Sequence, residues 1–315
     1  MVKWLVVGIG DITRKRVIPA ILADPRSSLY GVVTRDSKKA EAYPGTIAWS
    51  TLEEALQDAA IDAVYVATPV VLHAEQTIAA LRAGKHVLCE KPVAMNFVEA
   101  ESMAEAARVS GQLFGVAYYR RLYPKLVRAK ALIADGAIGQ PLLAEANYHG
   151  WLEGDERAWL RDPAMAGGGP LFDVGSHRID AMNFLFGKPM RATGLLSNAL
   201  HQMPVEDSAT VMMEYAGGIH GVVDVRWNSR VGRDQFRVVG TDGEIALDPL
   251  SGPELRVAGR VEVLPTHANV HYPLVENFVA AIADGAPLAC PGDEAIWVDW
   301  VSETVKNGTS DQAKW

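Results

Sequence analysis

Cysteine is nearly absent. Cys89 and Cys290 are the two among 315 residues, and neither sits in a CxxC or Cys/His spacing. A disulfide framework and a zinc centre are thereby excluded, no metal site is expected, and both thiols read as small buried apolar groups. Long hydrophobic runs are lacking too. No stretch approaches the ~18 apolar residues of a membrane span. In the opening MVKWLVVGIG the apolar core is only Trp4 to Val7, too short for a secretory signal. A cytoplasmic protein is expected, in which the sequon Asn307-Gly308-Thr309 goes unused. Positive charge is also in deficit: 30 Lys and Arg face 38 Asp and Glu, a formal net charge of -8. That argues against nucleic acid or an anionic membrane as partner, so a bound anion must be held by local groups. What the chain does have is length and 49% hydrophobic residues, enough for a full core and two domains.

From Lys3 to about Ala117, short apolar runs alternate with helical spacing. The runs are KWLVV, LYGVVT, TIAW, IDAVYVAT, HVLCE and QLFGVA; RKRVIPAILAD, TLEEALQD, VVLHAEQTIAALRAG and NFVEAESMAEAARVSG lie between them. Thr51 with Glu54 has the pattern of a capping box, and Gly84 stands where a C-cap glycine belongs. Continuously apolar strands separated by helices indicate a parallel sheet covered on both faces. The expected fold class is α/β, beginning with a Rossmann-type doubly wound domain that binds its ligand at the carboxyl ends of the strands. HVLCEKPVAM then stands out. Its apolar run ends in Glu90 and Lys91 at such a carboxyl end, where a lysine is costly unless something uses it.

The first strand runs into VGIGDITRKRVIPA. Gly8 and Gly10 match the first two positions of G-x-G-x-x-G, in the strand-to-helix context that makes the motif informative; the third position is Thr13. The first two glycines allow the tight turn and the close approach of backbone to pyrophosphate. The third mainly serves helix–strand packing, so threonine is expected to alter packing more than phosphate binding. A ribose 2'-hydroxyl is read by an acidic residue about 20 residues further on. Here Thr34 and Arg35 occupy that place, with Lys38 and Lys39 beyond. No carboxylate repels a 2'-phosphate, and Arg35 is suited to bind one. NADP is therefore expected ahead of NAD; Asp36, one residue along, is the counter-argument.

After Tyr118 the composition changes. YYRRLYPKLVRAKALIADGAIGQP reads as a crossover helix with Pro124 near its start and Gly136 past its end. Then GGGPLFDVGSHRIDAMNFLFG places three glycines before a helical stretch, where Asp173 and His177 are spaced i, i+4 and Asp180 follows three later. Side chains at these spacings share one helix face. They form a plausible acid/base unit or, equally, a salt-bridged surface helix. Further on, EDSATVMMEYAGGIHGVVDVRWN and DQFRVVGTDGEIALD read as hairpins around Gly217-Gly218 and Asp242-Gly243, and two closing segments read as helices.

Together, GIGDIT, AGKHVLCEKP, YRRLYP and GGGPLFDVGSHRID, in that order over most of the chain, resemble the Gfo/Idh/MocA family of nicotinamide-dependent oxidoreductases. The resemblance implies a Rossmann domain over 1–119 and, over 120–315, an α+β domain with a large, mostly antiparallel sheet that serves as the interface of a homo-oligomer. The final helices are expected to be able to pack back on the first domain. The resemblance also implies that Lys91, Asp173 and His177 act around the reacting carbon beside the nicotinamide. Cofactor contacts are expected from Gly8, Gly10, Asp11, Ile12, Thr34, Arg35, Lys39, Thr68, Pro69, His73, Glu90 and Lys91. Substrate contacts are expected from Lys91, Tyr119, Asp173, His177 and Asp180.

His177, with an ordinary pKa near 6.5, suits the removal of a hydroxyl proton at neutral pH. Lys91 suits the stabilisation of an alkoxide, or is itself the base if burial lowers its pKa. Structural roles compete for several residues. His73 reads equally as a satisfied structural histidine; Arg120 and Arg121 as packing and salt bridges; Trp227, Trp297 and Trp300 as core or interface. Trp151, Trp159 and Arg161 are candidate walls of the substrate site. The expected activity is hydride transfer between NADP (or NAD) and a secondary alcohol or carbonyl of a sugar, polyol or related small molecule. Two other classes share the scaffold: a glycosidase that keeps and recycles its nicotinamide, and a regulator that senses a dinucleotide without catalysis.

Overall fold

A computed structural model describes residues 1–154 and 158–308; Thr309 of the sequon lies outside them. The apolar runs of the first third form β1 (Val2–Val7), β2 (Ser27–Val33), β3 (Ile47–Trp49), β4 (Ala63–Val66), β5 (His86–Cys89) and β6 (Phe114–Val116). They pair in parallel in the order β3-β2-β1-β4-β5-β6. This is the Rossmann order, with its switch point at β1 and β4. Both faces are covered, which is why residues 5–7 of β1, all of β4 and the last three residues of β5 are no more than 1% exposed. The helices Leu52–Leu56 and Phe97–Ser110 start where side chains cap them. Thr51 accepts from the Glu54 amide at 3.3 Å, and Asn96 accepts from the Glu99 amide at 2.9 Å while donating to the Glu99 carboxylate. Each such cap contributes about 1 kcal/mol.

Two compact units emerge. One comprises Met1–Tyr119 together with His267–Ile296; the other comprises Arg120–Thr266 and the chain from Trp297. In the first unit, the helix Tyr272–Asp284 returns to the sheet and sets Phe278 against Trp4, ring centroids 5.5 Å apart. Pro291 then bridges to Gly115 of β6.

The second unit is built on β7 (Pro141–Trp151), β8 (Arg191–Ser197), β9 (Ser208–Tyr215), β10 (Ile219–Arg226), β11 (Asn228–Gly240), β12 (Glu244–Ala246), β13 (Glu254–Val257) and β14 (Arg260–Val263). Their order is β14-β13-β12-β11-β7-β10-β9-β8, antiparallel except where β7 meets β10. Both hairpins fall at the expected glycines: β9–β10 turns through Gly217-Gly218 and β11–β12 through Asp242-Gly243. Along β9 the residues Ala209, Val211, Met213 and Tyr215 are buried, while Met212 between them is 54% exposed. This period-two alternation marks a sheet covered on one face. The covering helix is Ser176–Phe186, tied to β9 by a 2.8 Å bond from the Tyr215 hydroxyl to Asn183 Oδ1.

Candidate active site

The turn after β1 is built for an approaching anion. Gly8 has φ +91°, and a Cβ there would lie 2.8 Å from the Ala67 carbonyl, so only glycine fits between β1 and the end of β4. A Cβ on Gly10, by contrast, would meet nothing within 4 Å. The outer side of the turn is open, as close passage of a pyrophosphate requires. Thr13 replaces the third glycine by a specific arrangement. Its fully buried hydroxyl accepts from the Gly10 amide and donates to the Gly10 carbonyl, both at 2.9 Å. Residues Thr13–Val17 form a π-turn before the α-helix Ile18–Ala23. Asp11 is exposed and ion-paired with Arg14 and Lys15, whose hydrogen bonds hold its pKa below the usual carboxylate value. These residues fit a nicotinamide dinucleotide.

At the end of β2, Asp36 is the N-cap of the short helix Ser37–Ala40, accepting from the Lys38 amide at 3.1 Å. The Thr34 hydroxyl accepts from the Asp36 amide at 3.2 Å. Arg35 and Lys39 are exposed.

Around the ends of β4 and β5 several expected cofactor contacts take inward-facing roles. His73 is 1% exposed, and its ring nitrogens face the Thr68 and Pro92 carbonyls at 2.9 and 3.0 Å. Burial lowers its pKa. The ring ties the segment after β4 to the segment after β5. Thr68 donates to Gln76 at 2.8 Å, and Pro69 precedes the 3₁₀ turn Val70–Leu72.

Glu90 is likewise turned inward. Its Oε1 accepts from the Tyr65 hydroxyl at 2.9 Å and from His271 Nε2 at 3.3 Å, and its Oε2 accepts from the Lys91 amide at 3.3 Å. Burial pushes its pKa up, but the His271 and Tyr65 contacts outweigh it and the net shift is downward. The carboxylate expected at the cofactor is thus engaged on its inner side by three donors. Lys91 itself, half-buried, follows directly and is joined to Pro92 by a cis peptide bond. The Tyr119 ring packs on the His271 ring, centroids 4.9 Å apart.

In the second unit the glycine run is explained by close approaches. A Cβ on Gly169 would come within 2.1 Å of the Glu206 carbonyl, and one on Gly168 within 2.2 Å of the Phe172 ring. The Glu206 side chain accepts from the Leu171 amide at 3.1 Å, at the start of the helical segment carrying the candidate acid/base groups. Burial raises the Glu206 pKa. That segment opens as a π-turn, Leu171–Gly175, before the α-helix Ser176–Phe186. Periodicity does not reveal such a turn, and they recur at functional sites. Asp173 and His177 are 7% and 5% exposed, so the segment is no solvated salt-bridge helix.

Asp180 is 0% exposed and accepts from Arg121 Nε at 2.9 Å, with Arg121 equally buried. Its expected role as a hydroxyl binder gives way to a buried ion pair. Removing one partner of such a pair costs about 3–5 kcal/mol. Arg178, between His177 and Asp180, is also buried; it donates to Asp234 at 2.6 Å and lies 4.6 Å from the Tyr148 ring centroid. Burial draws its pKa down to about 10, still high enough to keep it charged.

A cavity of about 210 Å³ opens beside Asp173, walled by Tyr148, Trp151, Leu160, Arg161 and Trp227. Trp227 is 5% exposed and packs with Leu160, Ala166 and Val205 beneath it. Arg230 stacks over Trp151 at 4.0 Å, and the His201 ring lies 4.9 Å away, which fixes the indole in place. Trp151 and Arg161 thus wall a cavity together with Asp173; Trp159, 43% exposed, and His177 are not among its lining. Sequence reasoning missed Tyr65, Glu206 and His271 altogether. Each engages a motif residue distant along the chain, and no local pattern announces it.

A parallel sheet in this order, with a glycine turn open to an anion at its switch point, defines a dinucleotide-binding protein of the Rossmann class. Comparison with known proteins then places it. The model of an oxidoreductase family with an NAD-binding Rossmann fold matches residues 2–118, and that of the GFO/IDH/MocA C-terminal domain matches residues 126–246. A 1,5-anhydro-D-fructose reductase from Ensifer adhaerens is 29% identical over 94% of this chain and 93% of its own length. A trans-1,2-dihydrobenzene-1,2-diol dehydrogenase from Oryctolagus cuniculus is 31% identical over 72% of this chain and 69% of its own. Among solved structures, GenD2 from gentamicin A biosynthesis, in complex with NAD, superposes with a TM-score of 0.86 at 28% identity, covering 100% of this chain and 97% of that one. The chain belongs to the Gfo/Idh/MocA oxidoreductase family. It is an oxidoreductase that uses a nicotinamide dinucleotide.

Proposed function

We propose that the protein transfers a hydride between NADP(H) and a secondary alcohol or carbonyl of a sugar or polyol. The observation that carries the substrate class is the cavity beside Asp173. Its walls include aromatic rings, suited to the apolar C–H face of a sugar ring, together with the Asp173 carboxylate and the Arg161 guanidinium, groups of the kind that bind hydroxyls. The reductase and dehydrogenase names of the relatives point the same way. The bound nicotinamide supplies the hydride acceptor or donor.

The protein's own groups manage one proton and the developing charge. In oxidation, His177 takes the hydroxyl proton as the C–H hydride departs and the carbonyl forms. Lys91 stabilises the alkoxide as a charged donor. Asp173 binds a neighbouring hydroxyl, a role supported by its place in the cavity wall. Steady-state turnover on a panel of sugars and polyols with NADP⁺ and NAD⁺ in parallel tests the reading. Net reduction of the dinucleotide with a member of the panel is expected; its absence across the panel, in both directions, sinks the proposal.

NADP preference rests on the end of β2. Asp36 accepts from the Lys38 amide as the cap of a short helix, while Arg35 is exposed and suited to a 2'-phosphate. Arg35→Ala is expected to raise KM for NADP(H) about tenfold, the worth of one exposed charge-assisted contact, and to leave KM for NAD(H) almost unchanged. Equal effects on both cofactors dispose of the preference.

A further inference from the structure

The buried cluster beneath Lys91 contains two groups that hydride transfer does not use. Tyr65 lies in the middle of β4, paired in register with Leu88 of β5, and is 0% exposed. His271 is also 0% exposed and comes from the segment that rejoins the first unit after the second is complete. The two meet on one oxygen of Glu90, the residue immediately before Lys91, and the other oxygen accepts from the Lys91 amide. From this we infer that His271 is a positioning residue for Lys91, acting through the Glu90 carboxylate.

The physical argument has two parts. His271 is itself immobilised: its amide donates to Asn269 Oδ1 at 3.0 Å, its carbonyl accepts from Val275 at 3.0 Å, and the Tyr119 ring packs on its imidazole. Asn269 in turn donates to the Arg16 carbonyl at 2.8 Å. Its Nε2 is therefore a fixed donor, presented to Glu90 from a different part of the fold. The second part is competition. A carboxylate adjacent in sequence to an ammonium attracts it, and Lys91 is among the charges that act on Glu90. With Oε1 occupied by Tyr65 and His271 and Oε2 by the Lys91 amide, the carboxylate is held on the inner side and fixes the Lys91 backbone. With the His271 donor removed, the carboxylate loses one of its three restraints and shifts towards the Lys91 ammonium, drawing it away from substrate. A fraction of an ångström at a reacting group is costly, and misplacement by about 1 Å lowers turnover by up to about 100-fold.

The inference rests on the proposed role of Lys91, and the experiment separates the two. His271→Leu removes the donor, whereas His271→Gln keeps an N–H near the Nε2 position. With the best substrate of the panel, His271→Leu is expected to lower kcat about 10- to 100-fold. NAD(P)H affinity, read from nicotinamide fluorescence, should stay within about threefold, and His271→Gln should recover most of kcat. Tyr65→Phe, which removes a single oxygen, should show the same split more weakly and serves if the leucine variant does not fold. Wild-type kcat in His271→Leu, or in Tyr65→Phe where only that variant folds, overturns the proposal. So does equal loss of kcat and NAD(P)H affinity in both His271 variants, the mark of general disruption. If Lys91→Ala loses turnover while His271→Leu does not, this inference alone fails; if Lys91→Ala keeps turnover, the reading beneath it fails.

Discussion

Lys91→Ala is expected to lower kcat by about 10²–10³-fold, the loss that accompanies removal of one preorganised donor to a developing oxyanion. The fold should survive, because Lys91 lies two residues beyond the end of β5 and contributes no side chain to the fully buried run Val87–Cys89. The inward network of Tyr65, Glu90 and His271 is held by other side chains and by the residue-91 amide, which alanine retains. Dinucleotide affinity by fluorescence titration and thermal stability should therefore stay close to the parent while turnover collapses. Because the effect is assigned to the transition state, kcat and kcat/KM should fall together. A near-normal kcat refutes the role.

His177→Ala is expected to produce the second large loss, about 10²–10⁴-fold, the usual contribution of a positioned general base. Its signature is in the pH profile. A base works only when deprotonated, so in the oxidation direction the parent rate should fall at acid pH as the histidine takes up a proton. In the alanine variant that acidic limb should vanish, leaving a lower and flatter profile. If instead the limb persists unchanged, the proton acceptor is Lys91. Asp173 on the same segment offers a contrast: as a hydroxyl binder in the cavity wall, Asp173→Asn acts chiefly on KM.

The strands and helices of the first unit were legible because each is a local pattern. Continuous apolar runs such as AVYV and HVLC can be satisfied only by burial on both faces, and Thr51 and Asn96 begin their helices through contacts three residues away. The glycine turn was legible for the same reason, since Gly8 answers to a backbone geometry that no other residue adopts at that approach. Patterning at i, i+4 also brought Asp173 and His177 to attention, but it could not show the π-turn that begins their segment. A π-turn is a local change of backbone bonding to i→i+5 within a helix, which no residue type announces.

Residue type alone did not reveal the inward contacts of His73, Glu90 and Asp180. Each is a polar group in or beside a motif, and each is engaged inside the protein: His73 with two carbonyls, Glu90 with Tyr65 and His271, Asp180 with Arg121. The order of the parallel strands, the turn that receives a dinucleotide and the identity of the motif residues follow from neighbours along the chain. Which polar groups are engaged inside the protein depends on partners far away in it. Glu90 and His271 are 181 residues apart and Arg121 and Asp180 are 59 apart. A buried charge is tolerated only where such a partner arrives, and no periodicity of 2 or 3.6 residues encodes that arrival.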